Sequence, residues 1–296
     1  MKNLKLRREA WYVLVGYTVN AGRIMEPKQL WNNPCRLSPA EIHVWCSPLD
    51  APYTCIQKIY NTLSDLEKQR AGALRLPEHR RSFIAAHGLL RTILALYHPT
   101  DAERIELAYG PNGKPRLAPE GRVKFNLSHC EDLALVAVNL DRELGIDLER
   151  IRPIADLENI ARTFFSPGEC RDLFSLGFEQ RTAAFFTCWT RKEAYVKATG
   201  AGLSCPLDSF RVTVVPGENP GFIGIDGSPS EAVNFTLHDV RPSAFHAAAL
   251  AVERRNYDNT SIVYRKFASM MDCLDHISRC TGSNVLSESS IPNRHF

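Results

Sequence analysis

The chain has 296 residues, 44% of them hydrophobic and 23% charged, with a formal net charge of +3. That length and balance suit one large or two small soluble domains, and so mild a positive charge argues against a general nucleic-acid binder. Nine cysteines with no C-x-x-C and no matching Cys/His spacing argue against a zinc site or a disulfide scaffold, so the thiols are read as free in a reducing, cytoplasmic setting. No apolar run reaches the length of a membrane-spanning helix, and no membrane partner is expected.

In chain order, basic residues within 2–8 precede an apolar patch, Ala10–Val19, that loosely resembles a secretion signal. Glu9, Thr18, Asn20 and Arg23 dilute it, so residues 1–40 are read as an extension. A strand is predicted over Glu41–Cys46 and helices over Ile59–Leu76 and Glu78–Tyr97, the second with Phe83, Ala86, Leu90, Ile93 and Leu94 at helical spacing. From Lys68 to Arg91 six basic residues stand against one acid, Glu78. Gly110, Pro111, Asn112 and Gly113 then form a turn that sets Lys114 and Pro115 on a loop. A strand over Val123–Leu127 is predicted to end at Ser128 and His129, a position where binding residues concentrate. Two further strands cover Leu133–Asn139 and Leu144–Glu149.

Helices follow near Asp156–Phe165 and over 167–176, the latter with Ser166 as N-cap and Pro167 in its first turn. A long Gly- and Pro-free stretch predicts a helix over 179–199, with Gly200 as its stop. Strands are expected near Phe210–Val215, Phe222–Ile225, Asn234–Val240 and Ala247–Glu253. Residues 256–296 hold an amphipathic helix built on Phe267, Met270, Met271, Leu274 and Ile277, then a Ser- and Asn-rich tail expected to be partly disordered.

Two stretches carry chemistry. In Gly145-Ile146-Asp147-Leu148-Glu149 the period of two puts both acids on one face, roughly 7 Å apart, where they can converge on a hard cation such as Mg²⁺. By itself the pattern more often marks an edge strand with two solvated acids. About forty residues on, Trp189, Glu193 and Lys197 fall at i, i+4 and i+8 on one helix face. A surface Glu–Lys pair would also give this spacing, but the large aromatic on the same stripe argues for a partly covered face.

Taken together, Gly113-Lys114-Pro115, Phe125-Asn126-Leu127-Ser128-His129, Gly145–Glu149 and Trp189–Lys197 resemble the 4′-phosphopantetheinyl transferases, of the larger surfactin-synthetase-activating type, over roughly residues 41–255. The resemblance implies an α/β (α+β) fold of two similar α/β subdomains related by a pseudo-twofold axis, residues 41–142 and 143–255, with the active site in the cleft between them. It implies transfer of the 4′-phosphopantetheine arm of coenzyme A to a serine of an apo acyl or peptidyl carrier protein, with release of 3′,5′-ADP, by a monomer that is internally a pseudo-dimer. Asp147, Glu149 and Glu193 would hold Mg²⁺, Lys197 and His129 would donate to the phosphates, and Glu193 is the candidate base for the serine. Coenzyme A would also meet Lys114, Pro115, Ser128 and His129, with Lys68 and Arg81 upstream and Arg70 and Arg80 as alternatives. Cys130 departs from the Ser or Thr common after the Ser-His pair. Competing readings are a Mg²⁺-dependent hydrolase of coenzyme A or a related nucleotide diphosphate, and a carrier-binding module without catalysis.

Overall fold

A computed structural model of the chain describes residues 37–98, 100–223, 234–255 and 260–281. The expectations for the extension up to residue 36 and for the tail beyond 281 fall outside them. The described residues divide into two compact units, one of residues 47–105 and 267–281 and the other of residues 37–46 and 106–266.

The first unit is helical: α1 (Tyr53–Thr62), α2 (Asp65–Ala73), α3 (Pro77–Leu94) and, from the far end of the chain, a helix over Met270–Thr281. The last matches the amphipathic stretch read from the sequence, and Met270, Leu274 and Ile277 are buried as its apolar spacing requires. The single helix expected over 59–76 is instead two. Ser64 breaks it by forming a capping box, its hydroxyl accepting from the Glu67 N–H while the Glu67 carboxylate accepts from the Ser64 N–H.

Glu67 then does a second job. Fully buried, it takes Arg91 Nε at 2.6 Å and lies 3.2 Å from His87 Nδ1. Burial alone would raise its pKa, but hydrogen bonds from His87 and the Ser64 backbone, with the Arg91 charge, hold it at about 2. In the second unit His43 is pushed the other way from charge, to about 3, by burial and then by Arg265. Both groups have folded pKa values below their ordinary ones, so both contribute stability at neutral pH that is lost on acidification. The loss is expected to begin near pH 6.5 as the unfolded chain protonates His43, and to continue through pH 4.5 toward 2 as Glu67 protonates. Glu67 accounts for on the order of 3 kcal/mol of it. Urea midpoints that stay flat from pH 7 to pH 3 would contradict this.

The second unit is α/β, the class expected from the sequence. Its strands are β1 (Glu41–Pro48), β2 (Leu107–Tyr109), β3 (Pro115–Leu117), β4 (Val123–Cys130), β5 (Leu133–Leu140) and β6 (Leu144–Arg150). Helices α4 (Leu157–Phe164), α5 (Pro167–Ser175) and α6 (Phe178–Thr199) follow, then β7 (Arg211–Val212), β8 (Phe222–Ile223), β9 (Phe235–Val240), β10 (His246–Glu253) and β11 (Ser261–Lys266). One sheet runs β11-β1-β5-β4 and another β6-β10-β9. The strand expected over 210–215 shrinks to a two-residue pairing of β7 with β8. β11, which no sequence pattern announced, lies parallel to β1 with Glu41 opposite Ser261 and Cys46 opposite Lys266. No helix among the described residues is long and apolar enough to cross a membrane.

The alternation read from β6 is realised. Leu144, Ile146 and Leu148 pack with Ile42, Val44, Leu135, Leu250 and Val252 in a core between the two sheets. The opposite face of β6 meets α6, and here Gly145 is indispensable. A Cβ at this position would stand 2.2 Å from the carbonyl oxygen of Ala194 and 2.3 Å from the nitrogen of Ala198. The strand and the helix therefore touch backbone to backbone. Ala249 and Ala251 on β10 keep the same face low beneath the helix, in a second core with Phe185, Ala194 and Ala198.

Candidate functional site

Helix α6 runs from Phe178 to Thr199 and is closed by Gly200 in the left-handed conformation (φ 68°). Its charged residues have separate tasks. Arg191, with no exposed surface, forks onto Asp239 at 2.9 and 2.7 Å and donates to Thr213. Lys192, equally buried, lies 2.8 Å from Glu169 and donates to the carbonyls of Leu207 and Phe210. Glu169 in turn completes a capping box with Ser166, so the N-cap foreseen at Ser166 is also tied to the core of the unit. Trp189 is half-buried, stacked on Phe185 and edge-on to Phe164.

Replacing Lys192 with Met would leave the Glu169 anion buried without its counter-charge and two carbonyls without a donor. Uncompensated buried charges cost roughly 3–5 kcal/mol, and Lys192→Met is expected to lower the melting temperature by about 10 °C. An unchanged melt would mean that the pair carries no stability.

Glu193 and Lys197 stay half-buried on the face turned to β6. Lys197 Nζ reaches Asp147 Oδ1 at 2.6 Å and Ser128 Oγ at 3.1 Å. Ser128 Oγ also lies 3.3 Å from Asp147 Oδ1 and accepts from the Leu148 N–H at 3.2 Å. Asp147 is buried, yet its second oxygen, Oδ2, has no hydrogen-bond partner among the described residues. A buried carboxylate oxygen without a donor is costly, and it marks a place where a further positive group fits. The neighbouring acids bear the same sign. Burial and then the Asp147 charge raise the pKa of Glu149, and Glu193 is raised for the same two reasons, with Lys197 opposing both.

Asp147, Glu149 and Glu193 thus share one electrostatic field, short of positive charge. They do not converge: among the described residues no three His, Cys, Asp or Glu side chains gather into a group that could hold a metal ion. What touches Asp147 is an ammonium and a hydroxyl.

The other residues singled out in the sequence fall into distinct places. Ser128 and His129 fall among the last three residues of β4, the strand end expected from the sequence, and they still pair with β5, which follows the strand as far as Cys130 opposite Leu133. His129 is half-buried. Burial, with Glu149 and other acids nearby, pushes the Cys130 thiol up to about 12, so it stays protonated at neutral pH. Lys114 lies in the turn between β2 and β3, and Pro115 opens β3. Lys114 Nζ donates to Glu143 at 2.7 Å, to the Leu144 carbonyl at 3.2 Å and to the Ala198 carbonyl at 2.7 Å. An ammonium has three N–H donors, so this lysine is fully engaged in pinning the turn to β6 and to the C-terminal end of α6. Asn112 adds a bond to the Gly200 carbonyl. Lys68 and Arg81 belong to the helical unit, Lys68 over the Tyr60 ring and Arg81 donating to the Ala51 carbonyl. Arg80 is exposed and donates to the Leu74 carbonyl.

Sequence reasoning passed over Asn126, which is buried in β4 and accepts from the Ile146 N–H at 2.8 Å. Its signal was the Asn-x-Ser spacing, which puts two polar side chains on one face of an otherwise apolar strand.

Comparison with known proteins converges on the same segment. The family model of the 4′-phosphopantetheinyl transferase superfamily matches residues 143–252, from the start of β6 to the end of β10. The 4′-phosphopantetheinyl transferase HetI of a Nostoc species is 45% identical over 181 residues, 60% of this chain and 76% of the relative. A putative 4′-phosphopantetheinyl transferase of Synechocystis is 34% identical over 178 residues, 60% of this chain and 70% of the relative. The 4′-phosphopantetheinyl transferase Sfp of Bacillus subtilis is 36% identical over 124 residues, 42% of this chain and 54% of Sfp. With the acid-bearing strand, the helix pressed against it and the Nostoc and Synechocystis relatives matched over more than two thirds of their length, the chain belongs to the 4′-phosphopantetheinyl transferase superfamily.

Proposed function

We propose that the chain transfers the 4′-phosphopantetheine group of coenzyme A to a serine hydroxyl of an apo acyl or peptidyl carrier protein, in a Mg²⁺-dependent reaction. The serine oxygen forms a bond to the pantetheine-bearing phosphorus, the bridging P–O bond breaks, and 3′,5′-ADP leaves with the electron pair. The observation that carries this reading is Asp147, a buried carboxylate with one oxygen on Lys197 and Ser128 and the other unpartnered.

The free Oδ2 of Asp147 and the burial and like charge that raise Glu149 and Glu193 leave this face short of positive charge, and Asp147, Glu149 and Glu193 would have to draw together to hold a cation there. Such a cation would neutralise charge on a diphosphate. Lys197 has two of its three donors on Asp147 and Ser128, leaving one for a phosphate oxygen. His129 is assigned a second phosphate contact from β4. Glu193 is assigned the serine proton, its half-buried carboxylate facing β6 beside Asp147. Lys114 supports the site from behind, while Pro115 is assigned to the nucleotide end of coenzyme A. The proposed setting is the cytoplasm, and the proposed working form is a monomer.

The test is mass spectrometry of a panel of apo carriers incubated with the protein, coenzyme A and Mg²⁺. The expected result is the phosphopantetheine mass on the carrier serine, with one 3′,5′-ADP released per modification. Release of 3′,5′-ADP that needs no carrier would replace transfer by hydrolysis, and no change in any substrate would leave a carrier-binding role.

A further inference from the structure

β4 closes one sheet and β6 opens the other, and no backbone ladder joins them. They are joined by side chains instead. Asn126 Oδ1 accepts from the Ile146 N–H at 2.8 Å and, two residues on, Ser128 Oγ accepts from the Leu148 N–H at 3.2 Å. The steps match, 126 to 128 on one strand and 146 to 148 on the other, so the strands run parallel here with side-chain oxygens standing in for carbonyls. Both donors and both acceptors are buried. The Ser128 rung lies within the site, since its oxygen also meets Lys197 and Asp147. The Asn126 rung touches none of the reacting groups.

We infer that Asn126 is a positioning residue for the transfer reaction, an inference that rests on the proposed function. Its amide oxygen fixes the register of β6 against β4 on the N-terminal side of Asp147, as Ser128 does on the other. Residue 147 lies between the two anchored amides, 146 and 148, so its carboxylate is aimed by both. A rung lost at 146 removes one of the two side-chain rungs, Asn126 and Ser128, that tie β6 to β4. The Asp147 carboxylate is then free to shift relative to Ser128 and His129 without any contact to substrate being removed. Misplacement of a reacting group by about 1 Å can cost a hundredfold in rate.

Thr and Val have nearly the same shape and both suit a strand, but only Thr offers an oxygen, of the kind that Ser128 uses one rung along. Asn126→Val is expected to lower kcat about tenfold to a hundredfold with KM for coenzyme A changed less than about threefold, while Asn126→Thr stays within about threefold of wild type. Amide hydrogen exchange supplies the structural readout: Ile146 protected in wild type and Asn126→Thr, and fast in Asn126→Val with Leu148 still protected. Asn139→Val is the matched control, a buried strand asparagine bonded to Glu41 and Arg142, away from the site. It is expected to lose stability without the drop in kcat.

Equal rates for the Thr and Val variants would overturn the inference, as would the same kcat loss in Asn139→Val. An unprotected Ile146 amide in the wild-type chain would overturn it even if Asn126→Val fails to fold. A wild-type chain that protects Ile146 yet modifies no carrier would sink the proposed function and leave the rung standing.

Discussion

Asp147→Asn is expected to lower carrier modification by about a thousandfold while leaving the fold intact. Asn has the shape of Asp and keeps an oxygen for Lys197 and Ser128, so the buried contacts at 2.6 and 3.3 Å can persist. What disappears is the negative charge. Groups that stabilise developing charge in a dry site contribute roughly 10²–10³-fold when removed singly, and Asp147 is asked both to hold Lys197 and to favour a cation. A second effect runs alongside: the repulsion that raises Glu149 and Glu193 is relieved, so both acids become weaker bases. Initial rates by mass spectrometry, with a thermal melt as the folding control, decide it. Wild-type turnover in a folded Asp147→Asn would remove Asp147 from the mechanism.

Gly145→Ala is expected to destabilise the chain by about 3 kcal/mol or more and to abolish transfer. The clashing atoms belong to the backbone of α6, the Ala194 oxygen and the Ala198 nitrogen, so no side chain can rotate out of the way. The helix must lift, and Lys197 lies on the turn that lifts. A one-methyl change with no chemistry of its own should therefore disconnect Lys197 from Asp147. The comparison is Ile146→Val, one residue along and in the opposite core, which should cost about 1 kcal/mol and leave transfer nearly unchanged. A folded Gly145→Ala chain with full activity would show that the contact between α6 and β6 is not what sets the site.

These expectations also show what was legible in advance. β6 and α6 could be read because their signals are local: a strict period of two around Asp147, and a long stretch free of Gly and Pro ending at Gly200. The split at Ser64 was local too, in a Ser-x-x-Glu box, but apolar spacing on both sides masked it. The fate of Lys114 could not be read at all. Whether a lysine on a turn faces a ligand or the protein depends on where carbonyls 144 and 198 end up, and those lie on other elements. Ser128 was legible as a polar residue near a strand end, but its burial and its partners were not. It lies in the site, but as a buried joint between Asp147, Lys197 and β6 and not as an open hydroxyl at a strand end. Arg191 and Lys192 belong to the same motif as Glu193 and Lys197, yet only the fold separates the two that anchor the helix from the two that face the acids.

The parallel match of β11 to β1 has a consequence for synthesis. The first strand of the described chain leaves the ribosome early, but the strand that lies against its outer edge is made near the other end of the described chain. Until then that edge displays unsatisfied amides and carbonyls, the kind of surface that recruits stray strands. Nascent chains stalled before residue 261 should therefore be the forms most in need of a chaperone.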